Sequence, residues 1–338
     1  MPTARAQPAI ADPIGIVEAA YRVDEDEDTW LSRIRASTST LVPMSSLRAS
    51  LSLIYRAPTA TSLTVDRVSA NGIDATKASE ALMQDASEDP QYVRDSLLSR
   101  PCDFVSVVPG SERQAGWQAV RANLGIVDGL AVNGFDAAGL GVISLLLVSR
   151  RPQLPTATRA TLARVAAHVV AGLRLRRRLA SAEDRLADAD AVLSVSGDVA
   201  HATGAARLEE SRQSLRLAAR ALDRARGPRR RSESDRAVLD WKVLVEHRWS
   251  LLDHFDRDGK RYLLACRNAP SAPASALLSP RERQVVLLAV RGHSNKLIGY
   301  ELGITTSTVG VLLGRAAARL GVKSRAALIA ACVRGGKH

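Results

Sequence analysis

The sequence predicts an α+β protein in three parts: an α/β sandwich in the front half, a small α+β block in the middle and an all-α domain of four helices at the end. Apolar residues alternate with a period of two in short segments up to residue 148 and again between residues 191 and 266, which is typical of half-buried strands. From residue 277 onward, apolar residues follow helical spacing between helix caps.

Length and composition indicate a folded protein of several domains. The chain has 338 residues, of which 46% are hydrophobic and 24% charged, as in ordinary globular proteins. At about 100–200 residues per domain, two or three domains are expected. Three widely spaced cysteines give no disulfide framework and favour a reducing compartment. The beginning of the chain lacks a signal-peptide core, and the longest apolar run, 139–148, is too short to span a bilayer. We therefore expect a cytoplasmic protein that binds no membrane.

The front half begins with a helical segment over residues 1–44, with one helix at 14–21 and another starting near Thr29, capped by Asp28. Two strands follow around Leu53 and Val65. The remaining predicted elements are helices over 74–83 and 90–100, a strand over 104–108, a helix over 111–124, a hairpin of 129–135 and 139–148, and a helix from 156 to 179 or beyond.

This order resembles the small-molecule sensor modules of the GAF type, and residues 45–180 are assigned to a GAF-like sensor domain. The run Trp117, Gly125, Ile126, Asp128 and Gly129 before a hairpin is also similar to that of autoinducer-binding domains. Either resemblance implies that a small-molecule effector or a partner acts on the front half, although the sequence identifies no residue of a pocket.

Residues 181–268 form the middle block. Hairpins are predicted at 191–202 and at 249–266, with helices over 205–226 and 237–247 between them. Two interpretations stay open: a reduced PAS-like domain, or a relay block that packs on the sensor. Residues 269–276 are rich in Pro, Ala and Ser and are predicted to be a linker.

No cofactor is predicted. His247, Asp253, His254 and Asp256 lie close in sequence, but they form no defined set of metal ligands. Cys102 is expected to be inert. No nucleophile elbow, phosphate loop or dinucleotide fingerprint occurs, so no catalytic residue is assigned and an enzyme is not predicted.

Two groups of arginines and one set of leucines have ordinary explanations. The arginines at 174 and 176–178, and those at 229–231, are expected to be solvated helix faces. Leu175, Leu179 and Leu186 cover too few heptads to predict a dimer seam.

Residues 277–338 carry the sharpest local signals. Four helices are predicted, each begun by a capping side chain: Ser279, Ser294, Thr305 and Ser324. Pro280 occupies the first position of the first helix, and Glu282 completes a capping box. Gly292 and Gly303 end the first two helices. Helix, tight turn and helix is the geometry of DNA-reading domains.

Charge is concentrated in the same segment. It contains ten Lys and Arg residues against two Glu, a net charge of +8 out of +12 for the whole chain. Neutralising DNA phosphates, with release of their counterions, is a physical reason to collect positive charge there.

The segment resembles the LuxR-type C-terminal helix-turn-helix. The matching motifs are LSPRE at 278–282, GHSNKLIG at 292–299, LGI at 302–304, TV at 308–309 and RLGVKSR at 319–325. The resemblance implies binding of double-stranded DNA and a homodimer formed through the fourth helix, 325–333. RNA polymerase is a further candidate partner.

Ten residues at motif positions are predicted to contact DNA: Asn295, Lys296, Ser307, Thr308, Gly310, Val311, Gly314, Arg315, Arg319 and Lys323. The two glycines depart from the family pattern, which commonly has Lys at position 310. Each costs about 1 kcal/mol in a helix interior relative to alanine and lacks a side chain that could read a base. Either the backbone approaches DNA closely there, or reading depends on Ser307, Thr308, Val311 and Arg315, with Val311 suited to a thymine methyl group. A domain that has lost DNA binding is the alternative.

These observations predict a sequence-specific DNA-binding regulator of transcription, controlled by a ligand or partner at its N-terminal domain. The alternative from another class is a small-molecule-binding protein or enzyme in which residues 277–338 are only an interaction module.

Overall fold

A computed structural model describes residues 12–59, 62–98, 101–136, 139–180, 186–245, 249–255, 258–268, 278–320, 322 and 324–335. The α-helices are α1 (Pro13–Ala20), α2 (Glu27–Ser39), α3 (Ala75–Glu88), α4 (Pro90–Val93), α5 (Ala115–Leu124), α6 (Thr156–Leu179), α7 (Glu209–Arg226), α8 (Arg229–Ser232), α9 (Ser234–Val245), α10 (Pro280–Val290), α11 (Asn295–Leu302), α12 (Thr306–Arg319) and α13 (Arg325–Gly335). The strands are β1 (Leu47–Thr59), β2 (Ser62–Asn71), β3 (Cys102–Phe104), β4 (Asp128–Phe135), β5 (Leu140–Val148), β6 (Ala191–Ser194), β7 (Val199–Ala202), β8 (Trp249–Phe255) and β9 (Arg261–Arg267). The predicted linker at 269–276 lies outside the described residues.

The first sheet has five antiparallel strands in the order β2-β1-β5-β4-β3. Its alternating residues divide between two apolar layers. Leu130 and Leu146, which pair across β4 and β5, pack against Leu162 of α6, whereas α3 and α5 cover the other face. At Gly134 a Cβ atom would lie 2.1 Å from the carbonyl oxygen of Ala166, so α6 approaches β4 as closely as it does only because that position is glycine.

Two predictions in the front half are wrong in detail. Helix α2 is capped by Asp26 and not by the predicted Asp28, because Oδ1 of Asp26 accepts the backbone N–H groups of Asp28 and Thr29 at 3.0 and 2.8 Å. The sequence rule for a helix cap fits both acids and does not distinguish them. The predicted strand 104–108 is a strand only at Cys102–Phe104 and turns into a 3₁₀ helix at Val105–Val107. There the carboxylate of Asp128 accepts the backbone N–H of Ser106 at 3.1 Å.

Three predicted helices are also less regular than their spacing suggested. The helix predicted over 90–100 is α4 followed by a π-helical turn at Arg94–Leu98. Short 3₁₀ segments, Ser111–Arg113 and Gly204–Arg207, precede α5 and α7.

The middle block contains a second antiparallel sheet in the order β7-β6-β9-β8. Both predicted hairpins are present, and α7 and α9 lie against this sheet. The largest apolar cluster joins Ile16 of α1, Trp30 of α2 and Leu173 of α6 to Leu193 and Trp241 of the middle block. The first helices, α6 and the second sheet therefore share one core, which crosses the predicted boundary at residue 180.

The arginines of helix α6, like its apolar side chains, contact other segments of the chain. Arg177 forms ion pairs with Glu27 at 2.8 Å and Asp66 at 3.1 Å, and the buried Arg176 donates to the carbonyl of Arg22 at 3.1 Å. The prediction of a solvated arginine face is therefore wrong here, because acids distant in sequence fold against it.

The leucines of α6 and the arginines after α7 also have partners within the chain. Leu175 and Leu179 are buried against the second sheet, so they are not available for a dimer seam. Arg229 pairs with Asp240 at 3.1 Å, and Arg230 pairs with Asp12 at 2.6 Å, which contradicts the expected solvated face.

Among the described residues, which do not include His247 and Asp256, no three His, Cys, Asp or Glu side chains are placed to hold a metal ion. Asp253 instead binds two guanidinium groups, those of Arg226 at 2.9 Å and Arg261 at 2.8 Å. Burial raises the pKa of the Cys102 thiol to about 12, which keeps it protonated and unreactive near neutral pH.

No single helix in the described part of the chain is long and apolar enough to cross a membrane; the bent pair of α11 and α12 meets the length and composition requirement only when the two helices are taken together.

Candidate nucleic-acid interface

The first helix of the C-terminal domain begins at the predicted capping box. The hydroxyl of Ser279 accepts the backbone N–H of Glu282 at 3.3 Å, and the carboxylate of Glu282 accepts the backbone N–H of Ser279 at 2.9 Å. The hydrogen bond from the Ser279 backbone lowers the pKa of Glu282. Pro280 occupies the first helical position, so the beginning of α10 is fixed by local chemistry alone.

The next two helices form a bent pair around a tight turn. Ser294 and Thr305 cap α11 and α12, as predicted. Between them Gly303 has φ of +58°, the left-handed conformation that favours glycine. The two helix axes are bent by 103°. A small apolar core holds them in place: Val285, Leu288, Ile298, Leu302, Val309, Leu313, Ala316 and Leu328.

One face of α12 is exposed along its length. It consists of Ser307, Gly310, Val311, Gly314 and Arg315, which recur at the i, i+3, i+4, i+7 and i+8 spacing of a single helical face. The side chain of Val311 is 50% exposed. The opposite face of α12 lies in the domain core, so the helix is anchored on one side and open on the other.

The glycines of this exposed face have no packing role in the fold. A Cβ atom built at Gly310 or Gly314 would meet no heavy atom within 4 Å, and neither residue has positive φ. The domain could therefore fold with larger residues at both positions. The two glycines leave part of the outward-facing surface of α12 without side chains.

The other predicted contact residues that the structure describes lie on α11 and at further positions of α12. Lys296 is exposed at the beginning of α11. The hydroxyl of Thr308 lies 2.8 Å from that of its cap, Thr305. Asn295 accepts a hydrogen bond from Arg325 of α13, which fastens α11 to the last helix. Lys323 lies outside the described residues.

Arg319 is partly neutralised within the domain. Its Nη1 lies 2.9 Å from Oε2 of Glu282, which is buried, while Arg319 is about half exposed. The second acid of the domain, Glu301, lies 3.5 Å from the ring of His293. The other predicted contact residues that are cationic and described by the structure, Lys296 and Arg315, are exposed.

Comparison with known families agrees with this geometry. Residues 276–332 match the family GerE, described as bacterial regulatory proteins of the luxR family. The match covers 57 of the 338 residues. A search of curated proteins gives no match for the chain. The family match supports a DNA-binding regulator of transcription.

The C-terminal domain docks on the rest of the chain through residues that sequence analysis missed. The hydroxyl of Tyr300, in α11, lies 2.7 Å from Nε2 of His168 in α6, and Nδ1 of His168 lies 3.0 Å from the hydroxyl of Tyr21. The guanidinium of Arg291 lies 3.9 Å from the ring centroid of Phe135. Neither the tyrosine on α11 nor the arginine at the end of α10 has a sequence feature that predicts a docking contact. A cation such as this arginine is expected at any helix C-terminus.

The front-half sheet borders an apolar cavity of about 110 Å³. It lies between β1, β5 and the helices α3 and α5, and Trp117 and Leu97 form part of its wall. Its polar groups include Asp85 and Tyr92. Burial raises the pKa of the Asp85 carboxyl, which also accepts a hydrogen bond from the backbone N–H of Gly116, and burial raises the pKa of Tyr92 to about 12.

Proposed function

We propose that the protein is a sequence-specific DNA-binding regulator of transcription whose front half, a GAF-like sensor, controls it through an effector or partner. The observation that carries the DNA-binding part is the exposed face of α12, held out by a domain whose net charge is strongly positive. An anchored helix with an open outer face is the element that enters the major groove in helix-turn-helix proteins.

In this proposal Ser307 and Val311 read base edges and Arg315 contacts guanine or phosphate. Lys296, Arg319 and Lys323 bind phosphates and fix the register of the domain. Gly310 and Gly314 permit a close approach of the helix backbone. Asn295 and Thr308 remain candidate contacts, although each also bonds a neighbour in its own domain.

The proposed effector site is the cavity of the front half. A pocket that is mostly apolar with a few polar groups is what small-molecule sites commonly present. The cavity walls suit a small apolar molecule that donates one hydrogen bond to Asp85. Under either interpretation of its fold, the middle block would relay the effect of the effector to the C-terminal domain or shield that domain.

The homodimer through α13 remains part of the proposal, because a dimer reads two half-sites whose spacing follows from its symmetry. RNA polymerase is kept as a further candidate partner with no residue assigned. The proposal places the protein in the cytoplasm with the chromosome.

A fluorescence anisotropy titration against random duplex DNA tests the proposal. We expect binding that weakens steeply with salt, because each neutralised phosphate releases counterions. Lys296→Ala and Arg315→Ala should each reduce the slope of log affinity against log salt by about 1. Lys77→Ala is the matched control, since Lys77 is an exposed lysine on α3, and its slope should equal that of the wild type.

The rival function predicts a different result. If residues 277–338 are only a protein interaction module, the full chain shows no salt-dependent binding to duplex DNA at micromolar concentration, and none of these variants changes that. Mapping the genomic fragments that copurify with the protein would then recover no common sequence.

A further inference from the structure

A continuous set of contacts connects the front-half cavity with the end of β4. Leu97 lines the cavity, and its backbone carbonyl accepts a hydrogen bond from the side-chain amide of Asn133. The amide oxygen of Asn133 accepts the hydroxyl of Tyr55 at 2.8 Å. The Tyr55 ring stacks on that of Phe135, with centroids 5.8 Å apart and planes inclined by 12°. All four residues are buried.

Arg291 continues this path into the C-terminal domain. It directly follows α10, only 8% of it is exposed, and its guanidinium lies on the Phe135 ring and donates to the backbone carbonyl of Asp136. The carboxylate of Asp136 is bound by Arg174 at 3.2 Å. Burial lowers the pKa of Arg291 to about 10, which shows how poorly this environment solvates the charge.

Such a contact is suited to reversible docking. Taking a guanidinium out of water is costly, and the Phe135 ring, the backbone carbonyl of Asp136 and the nearby Asp136 carboxylate offset that cost here. Because the offset depends on the position of Phe135, we expect a displacement of its ring to weaken the contact.

The cavity wall includes the π-helical turn at Arg94–Leu98, which contains Leu97. Single π-helical turns are rare and occur frequently at functional sites. A ligand larger than the cavity must push its wall outward. Moving the Leu97 backbone removes the acceptor of the buried Asn133 amide, and an unsatisfied buried donor is destabilising. Asn133, Tyr55 and Phe135 must then rearrange.

We propose that Arg291 is the contact through which the DNA-binding domain senses the cavity: it is docked on Phe135 as described above, and it is released when a small apolar molecule larger than the cavity of about 110 Å³ displaces the cavity wall. This inference rests on the proposed function. Release leaves α12 as exposed as before and removes one of the two docking contacts described above, the other being that of Tyr300 with His168. By linkage, a change that undocks Arg291 must also strengthen ligand binding in the cavity.

Hydrogen exchange of the full chain, followed by mass spectrometry, tests this coupling. Ala78→Leu adds three carbon atoms at the cavity wall and imitates an occupied cavity. We expect both Ala78→Leu and Arg291→Ala to accelerate exchange in residues 295–302 without changing exchange in 306–319. Ala160→Leu, which adds the same atoms at an exposed position of α6, is the control and should leave both segments unchanged. Adding Tyr55→Phe to Ala78→Leu should reduce the effect.

The inference is overturned if Ala78→Leu folds with exchange in 295–302 equal to that of the wild type. Should that variant not fold, Ala78→Val, which adds two carbon atoms, takes its place under the same criterion. DNA titration separates this outcome from a failure of the proposed function. Arg291 lies away from the exposed face of α12, so Arg291→Ala should keep the salt slope of the wild type. Absence of DNA binding in the wild type would refute the proposed function and leave the exchange result standing.

Discussion

The hydroxyl of Tyr300 and the ring of His168 meet at 2.7 Å in a fully buried contact between the DNA-binding domain and the long helix of the front half. The two residues are 132 positions apart in the chain. The same hydroxyl lies 3.4 Å from the carbonyl of Val238 in α9, so one side chain of α11 contacts both α6 and the middle block.

Removing that hydroxyl should loosen the docked domain. Tyr300→Phe keeps the ring and leaves a buried nitrogen of His168 without its partner, which costs about 1–3 kcal/mol. We expect a lower midpoint of unfolding by denaturant for the whole chain. Tyr262→Phe, at a half-buried tyrosine of β9, is the control. Equal midpoints for Tyr300→Phe and the wild type would show that the contact contributes nothing to stability.

Stability should fall on mild acidification. Burial lowers the pKa values of His168 and His293 to about 3, from an ordinary value of 6.5. Below pH 6.5 the two histidines bind protons in the unfolded chain but stay neutral in the folded chain. Their contribution to the free energy of unfolding is therefore complete above pH 6.5 and decreases as the pH falls toward 3.

At pH 5.5 the expected loss is about 1 kcal/mol per histidine relative to pH 7.5. This window lies above the ordinary carboxylate pKa values, and the raised pKa of the Asp85 carboxyl acts in the opposite direction, because it stabilises the folded chain as the pH falls. Thermal unfolding at the two pH values is the measurement. His168→Asn should show a smaller acid-induced decrease than the wild type, whereas the exposed His201→Asn should match it. A midpoint that does not change between pH 7.5 and 5.5 is the contrary result.

The glycines of α12 should be replaceable for folding but not for DNA binding. Gly310→Ala and Gly314→Ala should each stabilise the domain by about 1 kcal/mol, because a Cβ atom meets nothing at either position. Affinity for specific DNA should nevertheless fall, since the added methyl groups point outward where the groove is expected.

Gly134→Ala is the contrasting control, because its Cβ would lie 2.1 Å from the carbonyl oxygen of Ala166, and it should destabilise the protein. Gly→Ala variants of α12 that gain stability and keep full DNA affinity would show that the glycines do not face the groove.

Neutralising Glu282 should strengthen DNA binding. Its carboxylate lies 2.9 Å from Arg319, and Glu282→Gln removes this opposing charge while glutamine still completes a capping box. We expect higher affinity for duplex DNA and a salt slope steeper by about 1. Glu210→Gln, at an exposed acid of α7, should change neither. An unchanged slope in Glu282→Gln would remove Arg319 from the phosphate contacts.

The parts of the fold that sequence predicts best depend on local chemistry. The capping box at Ser279, the caps at Ser294 and Thr305, and the glycine turn at Gly303 each require only residues a few positions apart, and all four predictions are confirmed. The alternating strands of both sheets follow from the same short-range logic.

What the sequence could not predict depends on contacts between distant segments. The 3₁₀ helix at Val105–Val107 follows from the carboxylate of Asp128, and the ion pairs of Arg177 require acids more than a hundred residues away. Docking of Tyr300 on His168 is of the same kind. From sequence alone, each such charged group or hydroxyl is expected to be exposed to solvent, because no periodic pattern identifies its partner.

The central claim, that the outer face of α12 enters duplex DNA, is tested most directly by a photocrosslinker placed in it. Benzoylphenylalanine at Val311 should crosslink to duplex DNA on irradiation, in a yield that falls as salt rises. The same group at Met44, which is 75% exposed and lies outside the C-terminal domain, should give no adduct. Equal yields from the two positions, or none from Val311 under conditions in which the protein binds DNA, would contradict the account.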